Sequence, residues 1–158
     1  MIRYKQLVTL KVVDKETREP IGKILDVVYS DDCKSIVYIV IKNDNLIKNK
    51  APIFYEDIVF LENNQAVYVN RQKNFEDKLD GDVKEGFKYI DKEIRTENGE
   101  CIGYIKDVVI NKENGIIEGF IITEGVFEDL LKGRKYMPLF ENTVISKDCI
   151  CIVNKNFN

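Results

Sequence analysis

Ile21-Gly22-Lys23-Ile24-Leu25-Asp26-Val27-Val28-Tyr29 is stated twice in this 158-residue chain. Ile102-Gly103-Tyr104-Ile105-Lys106-Asp107-Val108-Val109-Ile110 repeats it 81 positions later. A period near half the chain length marks duplication of a whole small domain, not a solenoid of short repeats. Both versions are rich in Ile and Val, the side chains that suit a pleated, half-buried strand.

Working outward, Leu7 to Val13 reads as a preceding strand. The polar run Asp14 to Pro20 turns it back into the repeated strand as a hairpin. In the second copy the same places are taken by Tyr89 to Arg95 and by a turn holding Asn98-Gly99, a dipeptide that favours a tight type I′ turn. A second turn follows each repeated strand, Ser30 to Lys34 and Asn111 to Gly115, and then a third strand, Ile36 to Ile41 and Ile117 to Ile122. At the constant offset the identities are Lys11/Lys92, Glu16/Glu97, Glu19/Glu100, Ile21/Ile102, Gly22/Gly103, Ile24/Ile105, Asp26/Asp107, Val27/Val108, Val28/Val109, Ile36/Ile117 and Ile41/Ile122. Several are apolar strand positions, where a shared core should show.

Beyond the third strand the copies diverge. Ten residues separate Ile41 from Pro52 and fifteen separate Ile122 from Pro138, so an insertion of five is expected within Thr123 to Met137. Phe127, Leu130 and Leu131 have the i, i+3, i+4 spacing of one helical turn. Each copy closes with short strands, Pro52 to Val59 and Ala66 to Val69 in the first (around the turn Glu62-Asn63-Asn64), Pro138 to Ile145 and Cys149 to Val153 in the second. Residues 1–70 and 87–158 are therefore expected as two domains. The polar stretch 71–86 reads as a linker that lets them pack or swing apart, and Asn154 to Asn158 as a frayed end. The expected class is mostly β: two tandem small antiparallel β-barrels with one or two short helical turns.

Hydrophobic residues make up 44% and charged residues 32%, as in a globular protein, and the net charge is −3. An acidic chain lacks the field that gathers phosphate backbones, and Lys132-Gly133-Arg134-Lys135 is too short a basic patch to supply it, so nucleic acid is disfavoured. No apolar run reaches the ~20 residues of a membrane helix, and no secretory leader stands at the start; a cytoplasmic location is expected. Cys33, Cys101, Cys149 and Cys151 do not recur at matching places in the copies, so they read as free thiols and not as a disulfide framework. Cys149 and Cys151 form a Cys-x-Cys pair, but a zinc site needs two further ligands and the chain has no His. No catalytic constellation, phosphate loop, metal or cofactor site is legible, so the expectation is a protein that is not an enzyme.

The duplicated Ile-Gly-x-Ile-x-Asp-Val-Val, preceded by a strand and polar turn and followed by a hydrophobic strand and a Pro-led segment (Tyr136-Met137-Pro138, and Pro52), resembles the PRC-barrel family over residues 6–69 and 87–153. That family includes the cytoplasmic domain of the photosynthetic reaction-centre H subunit and the C-terminal domain of a ribosome maturation factor. The first carries a membrane helix ahead of its barrel, and the second joins its barrel to an unlike domain. The likeness is nearest to small tandem PRC-barrel proteins of bacteria, some associated with sporulation. The resemblance implies a non-enzymatic scaffold or adaptor that binds protein partners, with self-association left open. The alternative it implies is a ribosome- or RNA-associated maturation factor.

Four residues stand out as structural. Gly22 and Gly103 suit a bend or close backbone approach. Strand alternation puts Asp26 on one face with Ile24 and Val28, and Asp107 with Ile105 and Val109, where each carboxylate must find backbone N–H groups or a Lys or Arg. The candidate partner contact is the divergent segment: Val126, Phe127, Leu130, Leu131, Arg134, Lys135 and Tyr136 mix apolar anchors with positive charge. The same apolar residues could instead lid the second barrel or fill a groove between the two.

Overall fold

The computed structural model describes residues 1–42, 50–61, 65–70 and 86–153. The expected linker up to residue 85, the turn at 62–64 and the tail 154–158 lie outside the described residues. The first half runs β1 (Ile2–Arg3), α1 (Tyr4–Leu7), β2 (Lys11–Asp14), β3 (Pro20–Tyr29), β4 (Ile36–Lys42), β5 (Lys50–Phe54), a 3₁₀ turn (Tyr55–Asp57), β6 (Val59–Phe60) and β7 (Ala66–Val69). The second runs β8 (Glu93–Thr96), β9 (Cys101–Ile110), β10 (Ile117–Thr123), α2 (Val126–Lys132), β11 (Lys135–Pro138), β12 (Val144–Ile145) and β13 (Cys149–Ile152). No described helix is long and apolar enough to cross a membrane.

The strands form two strongly curled half-barrel sheets, as the mostly-β, tandem reading requires. Their orders are β5-β4-β3-β2-β7-β6 and β11-β10-β9-β8-β13-β12, the same path twice. Pairing is antiparallel throughout except where the closing strand returns beside the opening one, β7 on β2 and β13 on β8. The repeated stretches are β3 and β9, the long central strands on which each sheet bends.

Several local expectations are corrected. Leu7 does not belong to a strand: it ends α1, and the Leu10 amide turns back onto the Leu7 carbonyl. The Lys92 amide bonds the Tyr89 carbonyl in the same way, so Leu7 and Tyr89 are equivalent at an offset of 82, and both are fully buried. Lys11 therefore matches Glu93, not Lys92; the first hairpin loop is one residue shorter in the second copy, closing Thr96 to Glu100 where the first closes Asp14 to Glu19. In that loop Gly99 alone takes a positive φ, +83°, and its amide bonds the Thr96 carbonyl. This is a three-residue loop ending in a left-handed glycine, not a type I′ turn.

Ala51 pairs with Ile41 and Lys135 with Ile122, so the insertion is three residues rather than five. Pro52 corresponds to Tyr136, not to Pro138, because pairing register and not the shared proline fixes the correspondence.

The two halves meet about a local twofold. Ser35 and Ile116, equivalent at offset 81, pair with each other. The Ile36 amide bonds the Gly115 carbonyl at 2.9 Å, and the equivalent Ile117 amide bonds the equivalent Lys34 carbonyl at 2.9 Å. This self-complementary pattern is that of an isologous dimer interface, here inside one chain. Around it one hydrophobic cluster runs through both halves, from Ile24, Ile39 and Ile53 to Ile105, Phe120 and Ile150. The N-terminal segment deepens the union: β1 pairs with β9, Ile2 opposite Ile110 and Arg3 opposite Val109.

Candidate functional site

Each repeated strand carries one extra residue before its aspartate. Ile24 pairs with Ile41 and Asp26 with Val40, skipping Leu25; Ile105 pairs with Ile122 and Asp107 with Ile121, skipping Lys106. This β-bulge shifts the phase of the strand. Ile24 and Val27 both reach the core, and so do Ile105 and Val108. Asp26 therefore stands on the opposite face from Ile24, and Asp107 on the opposite face from Ile105, which corrects the alternation expected from the sequence. Asp107 shares its outer face with Val109 and Ile121.

The two carboxylates converge on the N-terminal turn. Asp26 Oδ1 accepts the Val27 amide at 2.8 Å and the Tyr4 hydroxyl at 2.9 Å. Asp107 Oδ1 accepts the Val108 amide at 2.9 Å and the Lys5 amide at 3.0 Å. No side chain caps α1 from its own N-cap residue, Arg3. One of the amide groups that a helix start leaves open is satisfied by Asp107 from the other half of the chain. Burial, and then the hydrogen bond to Asp26, raise the Tyr4 phenol well above its ordinary pKa.

Aromatic residues seal the seam. Tyr29, Phe87 and Tyr89 pack edge-on with centroids 4.6–6.0 Å apart, and Tyr89 also lies against Phe120 at 5.0 Å. The Tyr89 hydroxyl donates to the Cys33 carbonyl, and the Tyr55 hydroxyl to the Lys112 carbonyl at 2.9 Å. Burial raises both phenols.

Of the glycines singled out, Gly103 stands at a close approach: a Cβ there would lie 2.5 Å from the Thr123 carbonyl oxygen. Gly22 pairs with Val12 at the matching place in β3. All four thiols are free. Cys101 and Cys151 both stand beside Arg95, on opposite sides of β8, so two strand spacings (~10 Å) separate them, too far for a disulfide. Among the described residues no cluster of three or more His, Cys, Asp or Glu could hold a metal.

The divergent segment folds as α2 followed by β11. Leu130 and Leu131 are 80% and 66% exposed and Tyr136 52%, so they neither lid a barrel nor fill the seam. Lys135 pairs with Glu124 at 2.7 Å and Arg134 with Asp129 at 3.4 Å. The Lys135 contact holds the Glu124 carboxyl below its usual range. The side chains of Val126 and Phe127 lie outside the described residues. Tyr136 lies across Gly119 and donates to the Glu118 carbonyl at 3.2 Å; a Cβ on Gly119 would come 2.7 Å from the ring.

Beside Tyr136 a groove of about 630 Å³ opens on the outer face, lined by Met1, Ile2, Arg3 and Gln6 of the N-terminal segment and by Val109, Ile121 and Tyr136. The N-terminal part of this wall was missed in the sequence, where nothing signals that residues 1–6 pack on the second half. The face offers apolar surface and one charged side chain, Arg3.

Compared with known proteins, residues 81–148 match the PRC-barrel domain family, a stretch that takes in β8 to β12. No curated protein matches the chain.

Proposed function

Given a chain that carries a PRC-barrel domain over residues 81–148 and a second curled sheet of the same strand order ahead of it, we propose that it is a non-enzymatic scaffold that binds a protein partner in the cytoplasm. The binding surface is on the second half: α2, β11 and the groove that Tyr136 of β11 shares with the N-terminal segment. The observation that carries this reading is the exposure of Leu130, Leu131 and Tyr136 together in the segment where the second copy carries its insertion. A contact of this make-up, apolar and aromatic anchors with an arginine beside them, is what protein interfaces favour.

The test is capture from native cells with the full chain as bait, comparing wild type with the double variant Leu130→Asp, Leu131→Asp, both exposed. The reading expects a partner held by the wild type and released by a variant whose circular dichroism and melting midpoint are unchanged. Equal capture by both proteins, or turnover of a small molecule without any captured protein, contradicts it.

A further inference from the structure

The groove beside Tyr136 has a definite chemistry, and it narrows the partner. Its floor is apolar, with Val109 and Ile121 on neighbouring strands. One wall is Tyr136, pinned over Gly119 by its hydroxyl. Among the described residues Arg3 is the single charged side chain of the lining, exposed at the rim, and no carboxylate lines the groove. Asp107 stands on the same face, but its Oδ1 is taken by the Lys5 and Val108 amides and the residue is only 7% exposed. A ligand complementary to this surface has an apolar body and a negative flank.

The edge next to the groove bears on the partner's backbone. β11 is the last strand of its sheet. The Leu139 amide bonds the Glu118 carbonyl, which sets the alternation: Lys135 and Met137 bond inward to β10, while Tyr136 and Pro138 face outward. Pro138 thus removes one of the two outward N–H groups of β11 and leaves that of Tyr136, which disfavours strand addition. Side chains, more than backbone pairing, must then read the partner. About 630 Å³ lies in the range of cavities that hold a compact ligand or the anchors of a helix.

We propose that the groove seats an amphipathic helix of the protein partner, with apolar side chains over Val109, Ile121 and Tyr136 and an acidic residue against Arg3. This rests on the scaffold reading above and deepens it.

The probes are three synthetic peptides titrated into the isotope-labelled full chain. One is a helix of Ala, Leu and Glu with leucines at i, i+3, i+4 and i+7. The second has every Glu replaced by Lys, and the third is an alternating Val/Thr/Glu strand former. The acidic helix should bind at least about tenfold more tightly than the basic one, with amide shifts confined to residues 2–6, Val109, Ile121 and Tyr136. Arg3→Glu should reverse that order. Equal affinities, a preference for the strand former, shifts elsewhere, or no binding of the acidic helix would overturn the proposal. Capture lost in the Leu130→Asp, Leu131→Asp protein but kept in Arg3→Glu would sink this inference and leave the scaffold reading standing. Capture of no protein by the wild type sinks the scaffold reading itself.

Discussion

Asp107 is the residue whose environment says most about the molecule. It is buried, it belongs to the second half, and its carboxylate holds the backbone of the fifth residue of the first. Removing it leaves the buried Val108 amide and the part-buried Lys5 amide open, a fully buried one costing about 1–3 kcal/mol and a part-buried one less. Asp107→Ala should therefore lower stability by about 2–4 kcal/mol in a denaturant titration. Asp26→Ala, at a half-exposed site, should cost about 1 kcal/mol; equal losses would mean the N-terminal turn is not what distinguishes them. Gly103→Ala drives a methyl into the Thr123 carbonyl and should cost about 1–3 kcal/mol by the same assay. Tyr4, Tyr29, Tyr55 and Tyr89 all have raised pKa values, with burial the first cause of each. A phenol whose folded pKa lies above the unfolded value of about 10 stabilises the fold fully below that pH. The contribution is lost as pH climbs from there toward the folded pKa. Ultraviolet titration should thus show these four ionising only together with unfolding; reversible ionisation of all eight tyrosines near pH 10 in the folded protein would refute the burial.

At the scale of the strand, the edges bear on how so apolar a β protein limits pairing between copies. β4 is an almost unbroken run, Ile36-Val37-Tyr38-Ile39-Val40-Ile41, and it is flanked by β5 at one end of its sheet. At this end of each sheet the last strand carries a proline, Pro52 in β5 and Pro138 in β11. Pro138→Thr restores an outward N–H and should raise self-association above that of the wild type in analytical ultracentrifugation; an unchanged sedimentation coefficient would show that the edge is protected otherwise. The strands themselves were legible because Ile and Val repeat at a fixed offset and turn residues bound them. What the sequence hid were changes of phase. The bulges at Leu25 and Lys106 carry no residue signature, since the neighbours of the extra residue are ordinary strand formers. The three-residue insertion was misjudged because two prolines that look alike occupy different registers. Leu7 reads as a strand residue by composition, yet is helical because burial of Leu7 and Leu10 favours a turn there.

For the molecule as a whole, duplication predicted two similar units, and two curled sheets of identical strand order are present. The union between them was not legible. It depends on backbone groups of the turn after each repeated strand, Lys34 to Ile36 and Gly115 to Ile117, and backbone bonding leaves no trace in residue identity. Likewise only coordinates place the first six residues on the second sheet and so complete the face where a partner would sit. That face occurs in the divergent half, which is why the candidate contact residues could be picked from the sequence while their setting could not. Two equivalent turns meet across the local twofold. Their meeting is tested by Ser35→Cys, Ile116→Cys in a background with the four native cysteines replaced by serine. These residues oppose each other between flanking hydrogen bonds, where paired strands come closest and side chains can bridge. Mass spectrometry under mild oxidation should find one disulfide within a monomer, with a raised melting midpoint. Thiols that stay reduced, or that link only separate chains, would contradict it.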